Sequence, residues 1–173
     1  MSFTVTLFPE DNPKAVLSVT TEEKTVYLLF RRLSQYNRNI TPFTAEQLSV
    51  SICDQKIVGT VTAYSEQTGL VFVWDPLKNR ILHAEDGEFA VRAILVNDRV
   101  YSLCYISCWG KSPEFRLYRM EFGNKDMRKM QERIPLPKKA AKRRWPENGI
   151  VEIKSDGTRA FLDIGEDHFS IDC

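Results

Sequence analysis

Two histidines, His83 and His168, are the side chains of this chain best placed to exchange a proton near neutral pH. Each has carboxylates close in sequence: Glu85, Asp86 and Glu88 flank Gly87 just after the first, and Asp163, Glu166 and Asp167 precede the second. A histidine held by a carboxylate can act as general acid or base, and a thiol beside an imidazole can act as nucleophile. Cys53, Cys104, Cys108 and Cys173 are the available thiols. Cys104 and Cys108 fall on an apolar strand or its edge, where thiols mostly serve as packing groups. No Cys-x-x-Cys and no histidine pair supplies the short ligand spacing of a metal site. The acids around Gly87 would need a second wall of ligands to hold calcium. Gly-x-Ser-x-Gly, Gly-x-x-x-x-Gly-Lys and Gly-x-Gly-x-x-Gly are all missing, and the eight glycines are scattered singly. The expectation is that both histidines are turn or strand-end residues, with no catalytic residue, metal or cofactor to assign.

Binding chemistry is better represented. Residues 125–144 hold nine Lys or Arg and two acids, a net of +7, so the remainder of a chain whose total is +1 stands at −6. Such a separation steers an oppositely patterned partner. Lys138, Lys139, Lys142, Arg143 and Arg144 run directly into Trp145, a cationic tract closed by an aromatic ring. It could neutralise phosphates and stack a base, or meet an acidic protein, or simply be a solvated linker. Trp109 precedes Gly110 in a loop and is a second candidate anchor of the type that interfaces favour. The candidate binding residues are therefore Trp109, Lys138, Lys139, Lys142, Arg143, Arg144 and Trp145.

The elements that must position these residues are strands. Val16–Val19 turns through Thr20–Lys24 into Val26–Phe30, Val50–Ile52 through Asp54–Lys56 into Ile57–Val61, Ala93–Val96 through Asn97–Asp98 into Val100–Leu103, and Ile150–Ile153 through Ser155–Gly157 into Ala160–Leu162. Apolar alternation broken by polar turns is the mark of antiparallel hairpins. Thr44-Ala45-Glu46-Gln47 has capping-box spacing and predicts a single helical turn before Leu48. Residues 35–42 are polar and lead into Pro42, a loop. Met127, Met130 and Ile134 share one side at helical spacing, which predicts a short helix near 125–134. A cationic linker follows it, so residues 123–148 form a basic helix and linker inserted before the last strands of one β-rich domain spanning 1–173.

The hairpins also repeat. Ile57 set over Val100 gives an offset of 43 residues, which places Asp54-Gln55-Lys56 over Asn97-Asp98-Arg99. With a longer loop, Leu70–Trp74 then lies over Phe115–Arg119. A period of this size with four strands suits a propeller blade. Val73-Trp74-Asp75 closing a strand resembles the end of a WD-repeat blade, over about residues 47–122, although the Gly-His that opens such blades is missing. The resemblance implies a small or partial propeller. The strand periodicity alone fits a sandwich equally.

The fold class expected is thus mainly β, built of antiparallel hairpins in a propeller-like or sandwich-like meander. The N-terminus lacks a basic start and alternates like a strand, so a secretory leader is not expected, and no apolar run suits a membrane span. Reduced thiols and a cytoplasmic setting follow from that reading. The expected function is a non-catalytic module that binds a protein, with an acidic surface as one partner type and an inhibitor or immunity-type protein as its sharper form. A nucleic-acid-associated protein using 125–145, and an enzyme with an unfamiliar site around His83 or His168, are the alternatives. Oligomeric state is open.

Overall fold

The computed structural model describes residues 2–63, 67–87, 89–107, 110–122 and 132–171. Among these residues fourteen strands form four separate antiparallel sheets, each a meander in sequence order. The first holds β1 (Thr4–Leu7), β2 (Ala15–Thr20) and β3 (Thr25–Leu29). The second holds β4 (Leu48–Cys53), β5 (Lys56–Ala63), β6 (Thr68–Asp75) and β7 (Arg80–Asp86). The third holds β8 (Ala90–Val96), β9 (Arg99–Ile106), β10 (Glu114–Glu121) and β11 (Glu132–Ile134). The last holds β12 (Val151–Ser155), β13 (Ala160–Ile164) and β14 (Asp167–Ile171). The mainly β expectation is met.

Three apolar layers separate the four sheets. Leu17, Leu28, Ile57, Leu70, Phe72 and Trp74 fill the first, between the first and second sheets. Val58, Val71, Val73, Ala93, Val100 and Met120 fill the second, between the second and third. Tyr101, Leu103, Phe115, Leu117, Ile153 and Leu162 fill the third, against the last sheet. Alternate residues of β6 therefore serve different layers: Leu70, Phe72 and Trp74 face one way, Val71 and Val73 the other. Successive strand side chains point to opposite faces, so a sheet covered on both sides must be apolar at nearly every position. All eight residues of β6 are buried.

Turn chemistry fixes the register. Asp54 and Gln55 both take positive φ, 47° and 59°, and Asn97 and Asp98 do the same at 48° and 58°. Two successive left-handed residues make the tight turn whose twist matches a β-hairpin. Ile52 then lies opposite Ile57, and Leu95 opposite Val100, so the 43-residue offset joins two hairpins of identical register.

Three local features depart from the sequence reading. The predicted helix near 125–134 is corrected at its end: Glu132–Ile134 is β11, with Ile134 opposite Leu117. Burying Ile134 against the third layer while pairing an open strand edge outweighs the helical spacing of its side chain. Residues 125–131 lie outside the described residues. The linker contains a short helix, α2 (Lys138–Ala141), whose Ala140 is fully buried. Finally, β3 runs on into an unforeseen helix, α1 (Phe30–Ser34), which buries Leu33. The expected turn at Thr44 is present as a 3-10 helix over Ala45–Gln47, with both halves of the capping box made.

The loop over 35–44 is polar but pinned. Asn37 donates from Nδ2 to Thr68 Oγ1 and to the Gly69 carbonyl, both at 2.8 Å. Phe43 then closes the first layer, edge-on to Phe8 and Phe30 at 5.8 Å.

Gly59 sits directly across from Phe72, whose ring lies over it and is wholly buried. A Cβ at Gly59 would enter that ring. With a packed layer behind it the ring cannot retreat, so Gly59→Ala is expected to destabilise the protein by about 1–3 kcal/mol. Urea unfolding measures it, and an unchanged midpoint would show that the first layer has slack.

Candidate functional site

The basic tract is drawn across two sheets rather than left as a free linker. Ala140 anchors α2 in the third layer, leaving Lys138, Lys139, Lys142, Arg143 and Arg144 exposed around it. Lys142 Nζ then reaches Glu114 of β10 at 3.6 Å, and Arg143 pairs with Asp167 of β14. These contacts tie the third sheet to the last. Exposed pairs of this kind add little stability, but they fix where the following residue goes. Among the described residues no ion pair involves Lys138, Lys139 or Arg144.

Trp145 is where the tract ends. Its backbone N–H donates to Tyr105 Oη at 3.0 Å. The indole meets the Tyr105 ring edge-on at 5.3 Å and stacks near Phe115 at 6.2 Å. Arg92 covers it, with Cζ 5.8 Å from the ring centroid, a cation–π distance. Arg92 is itself anchored, donating from Nε to the Val151 carbonyl at 2.7 Å and from a terminal nitrogen to the Val91 carbonyl at 2.6 Å. The indole is still 37 % exposed, one of the few large apolar side chains that are.

Trp145, Tyr105 and Arg92 line a groove of about 630 Å³ together with Glu46, Gln47 and Thr62. Gln47 is held by the capping box and by a long contact from Nε2 to the Thr62 carbonyl. The groove therefore presents two aromatic rings, a fixed guanidinium and the carboxylate of Glu46. Of the residues singled out from sequence, only Trp145 lines it. Trp109 lies outside the described residues, and Lys138, Lys139 and Arg144 stand on the surface beyond α2. Arg92 and Tyr105 sit on strands whose neighbours are apolar, so only the long-range contact with Trp145 marks them out.

The histidines are not brought together. His168 sits on β14, exposed, with Nδ1 bonded to Asp163 and its ring stacked on Phe161. That bond, with burial opposing it and Lys154 assisting, holds the Asp163 carboxyl below the usual range. His83 corrects the strand-end expectation: it lies inside β7, only 4 % exposed, opposite Val73. Among the described residues neither of its ring nitrogens has a hydrogen-bond partner. Its ring stacks with Phe122 at 6.3 Å, and burial pushes its pKa down to about 4. Among the described residues no group of three or more His, Cys, Asp or Glu is arranged to hold a metal ion, and no helix is long and apolar enough to cross a membrane.

Comparison with protein-family models, curated proteins and solved structures returns no match for this chain.

Because the unfolded chain protonates His83 near pH 6.5 and the folded one only near pH 4, stability falls as pH drops through that window. A His83→Leu variant is expected to lose less stability between pH 7 and pH 5 than the wild type, by on the order of 1–2 kcal/mol. Urea unfolding at the two pH values measures the difference, and equal losses would mean that the imidazole is already charged in the fold.

Proposed function

We propose that this protein is a non-catalytic module that binds another protein through the groove bounded by Trp145, Tyr105 and Arg92. The observation that carries the reading is the half-exposed Trp145, held on three sides before any partner arrives. Trp, Tyr and Arg are the residue types that dominate binding energy at protein interfaces, and a pre-fixed aromatic loses little freedom on docking. Lys138, Lys139 and Arg144 add a cationic flank beside it, which favours a partner with an acidic surface. An inhibitor or immunity-type protein, which neutralises an enzyme or toxin by covering it, is one form of this activity.

Nucleic-acid binding draws on the same tract. It has less support, because Lys142 and Arg143 are engaged with Glu114 and Asp167, and a phosphate would have to compete with those carboxylates.

The test is a binding titration with a partner that co-purifies stoichiometrically and survives moderate salt. Trp145→Ala and Arg92→Ala are each expected to weaken it by about 30-fold or more, the cost of losing an interface anchor. Reversing Lys138 and Lys139 to Glu should slow association with little effect on dissociation. Undiminished affinity in Trp145→Ala would remove the groove from the interface. Binding to DNA or RNA that collapses with salt and is abolished by Lys138→Ala, Lys139→Ala and Arg144→Ala would replace the protein-partner reading.

A further inference from the structure

A pocket of about 690 Å³ opens at one end of the first sheet, where β1 and β3 stop and β2 begins. Phe8 follows β1 and donates its N–H to the Val16 carbonyl at 3.0 Å. Phe30 follows β3 and donates its N–H to the Lys14 carbonyl at 3.1 Å, one step beyond the Ala15–Leu29 pair. The ladder thus carries Phe8, Lys14, Phe30 and Arg31 to the same end of the sheet, and all four line the pocket. Pro42 and Phe43, from the loop after α1, line it too.

The three rings are not packed shut. Phe43 is buried, while Phe8 and Phe30 are each only half-buried. Both meet Phe43 edge-on at 5.8 Å, and among the described residues no ring contact joins them to each other. The backbone is also irregular here. Phe8 holds φ at 46°, a left-handed conformation that is costly for a bulky residue. The register of β2 against β3 shifts between Ala15 and Leu17, a bulge of the kind that re-aims side chains beside functional sites. Strain of this sort persists where the surroundings fix it, and it gathers at ligand sites.

The charged lining is entirely cationic. Lys14 and Arg31 are both exposed, and among the described residues neither side chain makes a hydrogen bond or an ion pair. Arg32, the next residue, shows the contrast: its guanidinium is fixed by Asn79, at 2.6 Å to Oδ1 and 2.9 Å to the carbonyl. No acid lines the pocket. Of the two acids in the loop joining β1 to β2, Asp11 accepts from Tyr27 Oη, and Glu10 stands outside the lining.

Two unengaged cations beside partly open rings select a ligand with an apolar body and an anionic head. A bare anion would leave the rings in water, and a neutral apolar molecule would leave the cations unmatched. The planar guanidinium of Arg31 suits a carboxylate, which accepts two parallel donors. A further aromatic ring can join three phenylalanines edge-on or offset, as they already meet one another. The volume is of ligand size. We propose that this pocket binds a small aryl-alkyl carboxylate, its ring against Phe8, Phe30 and Phe43 and its carboxylate on Arg31 and Lys14. The site shares no lining residue with the groove at Trp145.

The experiment uses the full chain and three probes of one shape: phenylpropionate, phenylpropanol and phenylpropylamine. Titration followed by saturation-transfer NMR on the probe ring gives the affinity of each. The acid is expected to bind about tenfold tighter than the alcohol, about threefold from each exposed cation, and the amine more weakly than both. The double variant Lys14→Gln, Arg31→Gln changes only exposed side chains, and it should bring the acid down to the affinity of the alcohol without altering the alcohol itself. Phe30→Leu should weaken acid and alcohol alike. Lys154→Gln, an exposed cation on the last sheet, should change neither. Thermal unfolding checks that each variant keeps its fold. No transfer to the acid, equal affinity for acid and alcohol in the wild type, or an acid affinity untouched by the double variant would each overturn the assignment.

Discussion

Two sheets of this molecule are packed on both faces along their central strands, and most of the rest follows from that constraint. The second and third sheets are each covered on both sides, so β5, β6 and β9 must be apolar or small at consecutive positions, not merely alternate ones. Each layer then sets its own size rule. Large rings such as Phe72 and Trp74 occupy the layer toward the first sheet, and Gly59 makes room for one of them. Valine and alanine, with Cys104 and Met120, fill the middle layer. Tyr101, Tyr105 and Phe115 return in the third layer, where the last sheet and α2 close over them.

The same constraint decides where polar groups matter. On an exposed face, Lys154 simply pairs with Glu152 and Asp163 in water, and His168 hydrogen-bonds to Asp163. In the middle layer Thr60 and His83 share one buried face, and among the described residues neither side chain makes a hydrogen bond there. The groove at Trp145 is built differently, by a segment laid over an outer surface. Lys142 and Arg143 grip two sheets, Ala140 is buried between them, and the indole arrives against Tyr105 with Arg92 above it.

The strands, their hairpin turns and the repeat between β4–β5 and β8–β9 were legible in the chain. Their signals are local: a polar pair flanked by alternating apolar residues fixes both turn and register within a dozen residues. The Thr44 capping box was legible for the same reason. Failures occurred where distant residues decided the outcome. Ile134 fits a helical stripe, yet an unpaired edge of β10 captures it as a strand. Of the groove, Trp145 was marked by its position after a cationic run, whereas Arg92 and Tyr105 looked like ordinary strand residues. Glu85 looked like a turn carboxylate because nothing within five residues reveals that β7 faces another sheet.

By itself the sequence determined that this chain forms antiparallel hairpins, where they turn, and that one stretch is strongly cationic. Each of these depends on neighbours along the backbone, through turn propensity, side-chain alternation and summed charge. The tertiary structure alone decided which face of each strand is covered and by what. It therefore decided that Trp145 becomes a rim, that two of the five cations before it are spent on clamping sheets, and that His83 and Thr60 are buried on one face. Alternation tells a strand that it has two faces; only the packing of a second sheet lowers the dielectric on one of them and makes a polar side chain there seek a partner.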